Sequence, residues 1–303
     1  MKFLVILCVA AGLAYCGYLG VLYVRQDSLV FPGRTTDTAR VAEIRKYYKG
    51  LEDFEVKAPD GTRLRGYLLV RTRDGKPAPA ILSFHGNAEE QSGFFLWSPS
   101  ELSGFTVAGL NYRGYGTSEG KPSKTALKAD ALTAYDALAA RLEPGVPVVV
   151  MGRSLGSGIA AYVAAHRDVA GVILVTPYDS LVDVGQDAHP FVPVSLLMRH
   201  RFDVAPDAAR VKAPTLMLVA GADTLIPPRH AARLAALWAG PKEVHTVDNA
   251  THGNIIDNPQ YWKHIKMFLD KLFVKASEGE ETPPASRRGG TPLLDHPERG
   301  LGK

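Results

Sequence analysis

The sequence predicts an α/β protein built on a mostly parallel sheet with helices on both faces. Two observations carry that prediction. Short, mostly apolar runs at Ala80–Phe84, Phe105–Leu110, Pro147–Met151, Gly171–Val175 and Thr215–Ala220, and an alternating run at Glu243–Val247, are interspersed with stretches of helical spacing such as Lys124–Ala140. Pro147–Met151 and Gly171–Val175 are apolar at every position and Ala80–Phe84 at all but Ser83, the pattern of strands covered on both faces. The second observation is Gly152-Arg153-Ser154-Leu155-Gly156, which stands between Pro147–Met151 and the small-residue helical stretch Gly158–Ala165. A serine at the apex of a strand-to-helix turn needs small neighbours two residues before and after it, because the turn is too sharp for side chains there. Such an elbow lifts the hydroxyl above the sheet and aims the N-terminus of the next helix at it.

Taken in order, the chain begins with Phe3–Val24, which contains no charged residue. At about 1.5 Å per residue this run can span a hydrocarbon core of roughly 30 Å. It exceeds the roughly 7–15 apolar residues of a cleavable signal. Leu13-Ala14-Tyr15-Cys16 is a poor lipoprotein cleavage site, since Tyr15 is bulky where a small residue is needed. The expectation is a single-pass transmembrane signal anchor over residues 1–24. The positive-inside count (Lys2 before the run; Arg25, Arg34 and Arg40 after it) favours a cytoplasmic domain. A two-residue flank before a long apolar run instead has the form of an anchor with its domain exported, and the extracytoplasmic side is the orientation adopted. The catalytic domain is expected over residues 25–275.

A helical stretch from Asp37 to Tyr48 leads to strands near Phe54–Lys57 and Arg63–Val70, joined through the turn signal Pro59-Asp60-Gly61. Arg71–Pro79 reads as a polar loop. After the strand Ala80–Phe84 comes His85-Gly86-Asn87-Ala88. A tetrahedral intermediate needs two preorganised N–H donors. The residue after a nucleophilic serine supplies one, here Leu155, and this loop supplies the other through Asn87, with Gly86 letting the backbone approach closely. His85 is expected to hold the loop by hydrogen bonds. Asn111-Tyr112-Arg113-Gly114-Tyr115-Gly116 follows the next strand, with Arg113 expected to stitch loops together.

A nucleophilic serine needs a base, and the base an orienting carboxylate. Asp223 and His252 stand just past the C-terminal ends of Thr215–Ala220 and Glu243–Val247, at the sheet edge where ligands of open α/β sheets bind. The chain order Ser154, Asp223, His252 is that of the α/β-hydrolase fold. Asp248 competes as the acid, but it lies four residues before His252 in the same loop. His230 follows Pro227-Pro228 and reads as a surface residue. His245 lies within a strand.

The segment from Pro177 to Arg210 follows the strand Gly171–Val175 and reads as a short cap. Pro190 and Pro193 interrupt any continuous helix through it. Its apolar residues, among them Phe191, Leu196 and Leu197, either roof an acyl pocket or pack a connecting helix onto the sheet. Residues 276–303 are polar and rich in Pro and Gly, and are expected to form a disordered tail.

The elements F-H-G-N-A, N-Y-R-G-Y-G-T-S-E-G, G-R-S-L-G-S-G and G-A-D-T-L-I-P together resemble the membrane-anchored α/β-hydrolase-domain serine hydrolases. That group is similar to eukaryotic acylglycerol lipases and protein depalmitoylases and to bacterial serine aminopeptidase-like hydrolases. The resemblance covers roughly residues 25 to 273. It implies Ser154, Asp223 and His252 as nucleophile, acid and base, and oxyanion N–H groups at Asn87 and Leu155. Glu89-Glu90 depart from the pattern, standing where many relatives have a small and a polar residue.

The charge balance is 35 basic against 31 acidic residues, and no dense basic run occurs, which argues against a nucleic-acid partner. Both cysteines, Cys8 and Cys16, lie in the apolar N-terminal run, so a cysteine nucleophile is excluded from the domain. No H-E-x-x-H or clustered Cys/His pattern occurs, and no metal or organic cofactor is expected. The sequence therefore predicts a serine hydrolase that cleaves carboxylic esters, with acyl lipids among the candidate substrates. Thioester or peptide hydrolysis is the alternative on the same fold, and a catalytically silent, membrane-tethered binding protein is the alternative of another class. Oligomeric state is not legible in the sequence.

Overall fold

Apolar strands with no polar face can only lie inside a covered sheet, and that requirement arranges this chain. The computed structural model describes residues 1–278. Its first half comprises α1 (Lys2–Val30), α2 (Thr38–Tyr47), β1 (Leu51–Lys57), β2 (Arg63–Leu69), a minor hairpin of β3 (Thr72–Arg73) and β4 (Lys76–Pro77), β5 (Ala80–Phe84), α3 (Gln91–Glu101), β6 (Thr106–Leu110) and α4 (Lys124–Arg141). There follow β7 (Val148–Arg153), α5 (Leu155–His166), β8 (Gly171–Val175), α6 (Leu181–Ala188), α7 (Val194–Leu197) and α8 (Ala205–Ala208). The chain continues through β9 (Thr215–Ala220), α9 (Pro228–Leu237), β10 (Lys242–Val247) and α10 (Pro259–Glu278).

Eight strands form one sheet in the order β1-β2-β6-β5-β7-β8-β9-β10. The β1–β2 and β2–β6 pairs are antiparallel and the remaining neighbours are parallel. β5, β6, β8 and β9 are buried at every residue, as their largely apolar sequences favour, and their few polar residues, Ser83, Thr106 and Thr215, are small. One core lies between the sheet and α4, α5, α8 and α9, where Leu127, Ile159, Ala208 and Leu234 pack. The other lies under α2, α3 and α10, built on Ile44, Phe95 and Ile265. The fold is that of the α/β hydrolases: a mostly parallel sheet with helices on both faces.

Two features differ from the sequence reading. The N-terminal helix does not stop at residue 24; α1 continues unbroken to Val30, and Gln26 within it is buried. The region expected to be a polar loop at 71–79 contains the small β3–β4 hairpin. In the cap, α6 and α7 are separated at residues 189–193, where Pro190 and Pro193 fall. The polar C-terminal stretch expected from residue 276 lies, from residue 279 on, outside the described residues.

Candidate active site

Ser154 sits between the last residue of β7 and the first of α5, with φ 52° and ψ −121°. A non-glycine residue in that region costs on the order of 1–3 kcal/mol and persists only where the surroundings enforce it. Here they do. A Cβ on Gly152 would lie 2.1 Å from the Gly156 carbonyl oxygen, and a Cβ on Gly156 would lie 2.1 Å from that of Phe84. Both glycines are thus required for β7, α5 and β5 to approach closely enough to form the elbow. The Ser154 N–H donates to the Val175 carbonyl (2.9 Å), and the Ser154 carbonyl accepts from the Ser157 N–H (2.8 Å), which pins the strained residue on both sides.

The loops after β9 and β10 bring two further side chains to this serine. His252 Nε2 lies 3.0 Å from Ser154 Oγ, and His252 Nδ1 lies 2.7 Å from Asp223 Oδ2. The other carboxylate oxygen of Asp223 accepts the Leu225 and Ile226 N–H groups at 2.9 and 2.8 Å. With its side chain 1% exposed, Asp223 is held by three hydrogen bonds and has one orientation open to it. Asp248 is exposed and does not take part in this line of contacts.

Asn87 and Leu155 line the same cavity as Ser154. The loop that carries Asn87 is built from several directions. The Tyr115 hydroxyl donates to the Asn87 carbonyl (2.8 Å), and Arg34 donates to the Ala88 carbonyl (3.1 Å). His85 lies wholly inside, with Nδ1 2.7 Å from the Gly86 carbonyl and Nε2 facing the Tyr112 N–H at 3.4 Å. A carbonyl can only accept and an N–H can only donate, so these partners select the neutral ring protonated at Nδ1. Burial favours the same form and lowers the His85 pKa to about 4. His85 is therefore a structural pin of this loop.

Three arrangements were not legible beforehand. Arg153 ties the site together: it pairs with Glu89 and donates through Nη2 to the His252 carbonyl at 2.6 Å. Glu89 in turn accepts the Gly86 N–H at 2.8 Å, so one ion pair joins the elbow, the Asn87 loop and the histidine loop. Glu90 caps α3 by accepting the Ser92 N–H at 3.0 Å, which gives the Glu89-Glu90 departure a local structural role. His230, read as a surface residue, is fully buried, with Nδ1 and Nε2 each 2.7 Å from a carboxylate, Asp179 and Asp187. Its position on the face shared with Ala231 and Leu234 was the available signal. Arg113, by contrast, plays the stitching part expected of it: it makes a bidentate pair with Asp130 of α4 (2.6 and 2.7 Å) and also bonds Asp60 in the turn between β1 and β2.

The cavity over Ser154 has a volume of about 250 Å³ and is walled by the cap and, on one side, by α1. Among the described residues that line it, none is acidic, and His189 is the sole residue with a titratable basic side chain.

A mostly parallel sheet with a serine elbow and an aspartate and histidine at the same edge defines the class of the α/β hydrolases. Comparison with known proteins narrows it. Residues 75–202 match the family described as Hydrolase_4: Serine aminopeptidase, S33. The chain is 32% identical over 232 residues to an uncharacterized protein of Mycobacterium tuberculosis, covering 73% of this chain and 80% of that one. It is 28% identical to protein bem46 of Schizosaccharomyces pombe, over 88% of this chain and 91% of the relative. The lysophosphatidylserine lipase ABHD12 of Danio rerio is 29% identical over 55% of this chain and 49% of its own length. Among solved structures, an esterase of Pyrococcus furiosus superposes with a TM-score of 0.61 at 16% identity, covering 73% of this chain and 90% of its own. A bacterial membrane phospholipase A does so with a TM-score of 0.58 at 18% identity, covering 90% and 99%. These two show a shared fold. The chain belongs to the Hydrolase_4 family of α/β hydrolases.

Proposed function

We propose that this protein is a membrane-anchored serine esterase acting through an acyl-enzyme, with Ser154, His252 and Asp223 as nucleophile, base and orienting acid. The observation that supports this most directly is the unbroken line of hydrogen-bond contacts from Asp223 Oδ2 through His252 to Ser154 Oγ at 2.7 and 3.0 Å. In the proposed reaction Ser154 Oγ attacks the ester carbonyl carbon as its proton passes to His252 Nε2. Asp223 holds the ring with Nδ1 protonated and steadies the imidazolium. The N–H groups of Leu155 and Asn87 receive the oxyanion. His252 then gives its proton to the leaving alcohol oxygen. A water molecule, deprotonated by the same nitrogen, attacks the acyl-enzyme and releases the acid, and the proton returns to Ser154.

The lining of the cavity favours an ester with an apolar acyl group over a peptide with a free N-terminus. An α-ammonium group needs a carboxylate or several acceptors, and this wall is aliphatic and aromatic over most of its area. The apolar helix α1 is long enough to cross a bilayer, which is consistent with an anchor or a signal sequence. An uncleaved anchor is favoured because Gln26 and Asp27 of α1 are bonded into the cap, at Leu197, Arg199 and His200.

The test is labelling of the full-length protein with a fluorophosphonate probe, alongside turnover of 4-nitrophenyl butyrate. Wild type is expected to label and turn over, and Ser154→Ala to lose both with its melting temperature nearly unchanged. Labelling that persists in Ser154→Ala would remove the assignment.

A further inference from the structure

We infer that residues 22–30 of α1 form one wall of an acyl-binding cavity and that the substrate is a bilayer-resident lipid ester whose chain enters laterally, between α1 and the tip of the cap. The inference rests on the serine-esterase reading above and specifies its substrate. Leu22, Tyr23, Gln26, Leu29 and Val30 line the cavity that holds Ser154. Their spacing, i, i+1, i+4, i+7 and i+8, is a single helical face. The opposing wall comes from the cap, including Val184, Val194 and Met198. An apolar helix meant only as a tether would have no reason to turn one face toward the nucleophile.

The docking of that face is specific. Gln26 donates to the Leu197 carbonyl (3.1 Å) and accepts the Arg199 N–H (2.7 Å), so both ends of its buried amide are engaged by cap backbone. Asp27 accepts from Arg199 at 2.8 Å and lies 2.9 Å from His200 Nε2, and the Arg199 guanidinium sits 5.2 Å from the centre of the Tyr23 ring. These contacts fix α1 in rotation and in register.

A separate observation places the cavity mouth at the lipid. Phe191 and Leu196, at the tip of the cap, are 86% and 79% exposed. The Tyr15 hydroxyl donates to the Phe191 carbonyl at 2.5 Å. Tyr15 precedes Leu22 by seven residues, so the cap tip lies about 10 Å farther along the helix toward its N-terminus than the start of the cavity wall. It thus runs beside the uncharged stretch of α1, while the first charge after that stretch is Arg25. Tyr23, two residues before that charge, supplies an amphipathic ring of the kind that settles at a membrane–water boundary. A continuous apolar surface therefore leads from the acyl region of the bilayer, past Phe191 and Leu196, to Leu22 and on toward Ser154. A chain following it never crosses water, and the ester bond arrives at the polar end of the cavity with its alcohol facing the interface.

The experiment uses the full-length protein in phosphatidylcholine vesicles with two substrates, vesicle-borne 4-nitrophenyl palmitate and soluble 4-nitrophenyl butyrate. Val30→Trp, which fills the cavity from the α1 side, is expected to lower the palmitate-to-butyrate ratio of kcat/KM at least tenfold. Val24→Trp, on an exposed face of α1 away from the cavity, is expected to keep the wild-type ratio. Phe191→Ser combined with Leu196→Ser is expected to lower palmitate turnover several-fold more in vesicles than in detergent micelles. Because a tryptophan can also perturb folding, a second measurement on wild type is included. A hexadecyl fluorophosphonate with a terminal diazirine is allowed to label the enzyme, and the cross-links formed on photolysis are mapped. Cross-links within residues 22–30 support the inference. Cross-links confined to other segments, or an unchanged ratio in Val30→Trp, overturn it while leaving the esterase reading intact. A wild-type protein that neither hydrolyses butyrate nor takes up the probe overturns both.

Discussion

Two histidines in this molecule begin from the same contact and stand in opposite surroundings. His252 and His230 each place Nδ1 2.7 Å from an aspartate, Asp223 in one case and Asp179 in the other. They differ in what faces Nε2. His252 presents it to the Ser154 hydroxyl at 3.0 Å, beside a cavity, with 17% of the side chain exposed. His230 presents it to a second carboxylate, Asp187, at 2.7 Å, and is not exposed at all. A carboxylate only accepts, so Nε2 of His230 is committed to donating and keeps no lone pair for a substrate proton. An aspartate–histidine pair is therefore a poor marker of a base by itself. The partner on the far nitrogen decides whether the ring moves protons or holds elements together, here α6 of the cap against α9 and the loop after β8.

The largest effect expected from breaking the comparison is on chemistry. Asp223→Asn removes the acceptor that keeps His252 protonated at Nδ1, and is expected to reduce kcat on 4-nitrophenyl butyrate by about 10⁴, the size seen when a triad aspartate is so replaced. Asp248→Asn, at an exposed position in the same loop, is expected to change kcat less than threefold. A reversed ranking would move the orienting acid to Asp248.

The corresponding change at the other histidine falls on stability. His230→Ala removes two charge-assisted contacts from a fully buried site. Arg233 and Arg229 remain to pair with Asp179 and Asp187, so the loss is expected at the lower end of the range for broken buried pairs, about 3 kcal/mol. Urea unfolding measures it. The kcat per folded molecule on butyrate is expected to stay within threefold of wild type. A loss of kcat comparable to that of Asp223→Asn, with stability intact, would erase the distinction between the two sites.

Residue pattern made one of these sites readable and hid the other. Ser154, Asp223 and His252 each follow a recognisable strand, so strand periodicity and chain order were enough to bring them to one edge. The elbow glycines were legible for the same local reason: Gly152 and Gly156 answer a steric demand two residues from Ser154. Arg153 with Glu89, and His230 with Asp179 and Asp187, join segments 43 to 64 residues apart in sequence. Such pairs leave no periodic trace, because one charged residue in a loop or on a helix reads the same whether water or a distant partner satisfies it. The continuation of α1 to Val30 was hidden by Arg25 and Asp27, whose charges end an apolar run without ending a helix.

A third histidine sharpens the comparison at its smallest scale, because it has no carboxylate at all. His85 donates to the Gly86 carbonyl and faces the Tyr112 N–H, and burial lowers its pKa from 6.5 to about 4. The unfolded chain therefore binds a proton at this residue between those two values where the folded chain does not. Stability contributed by the neutral ring is fully present above about pH 6.5, and falls as the pH drops toward 4. Between pH 6.5 and pH 5 the loss amounts to about 1.5 kcal/mol from this one residue. His85→Asn cannot titrate, so its stability, whatever its absolute level, is expected to decline less steeply over that interval, by about the same amount. Urea midpoints for both proteins at four pH values would measure the difference in slope. Parallel slopes would mean that His85 gains its proton in the fold as easily as in the unfolded chain. The loop beside Asn87 would then be open enough to hydrate the ring, against the buried, neutral pin described here.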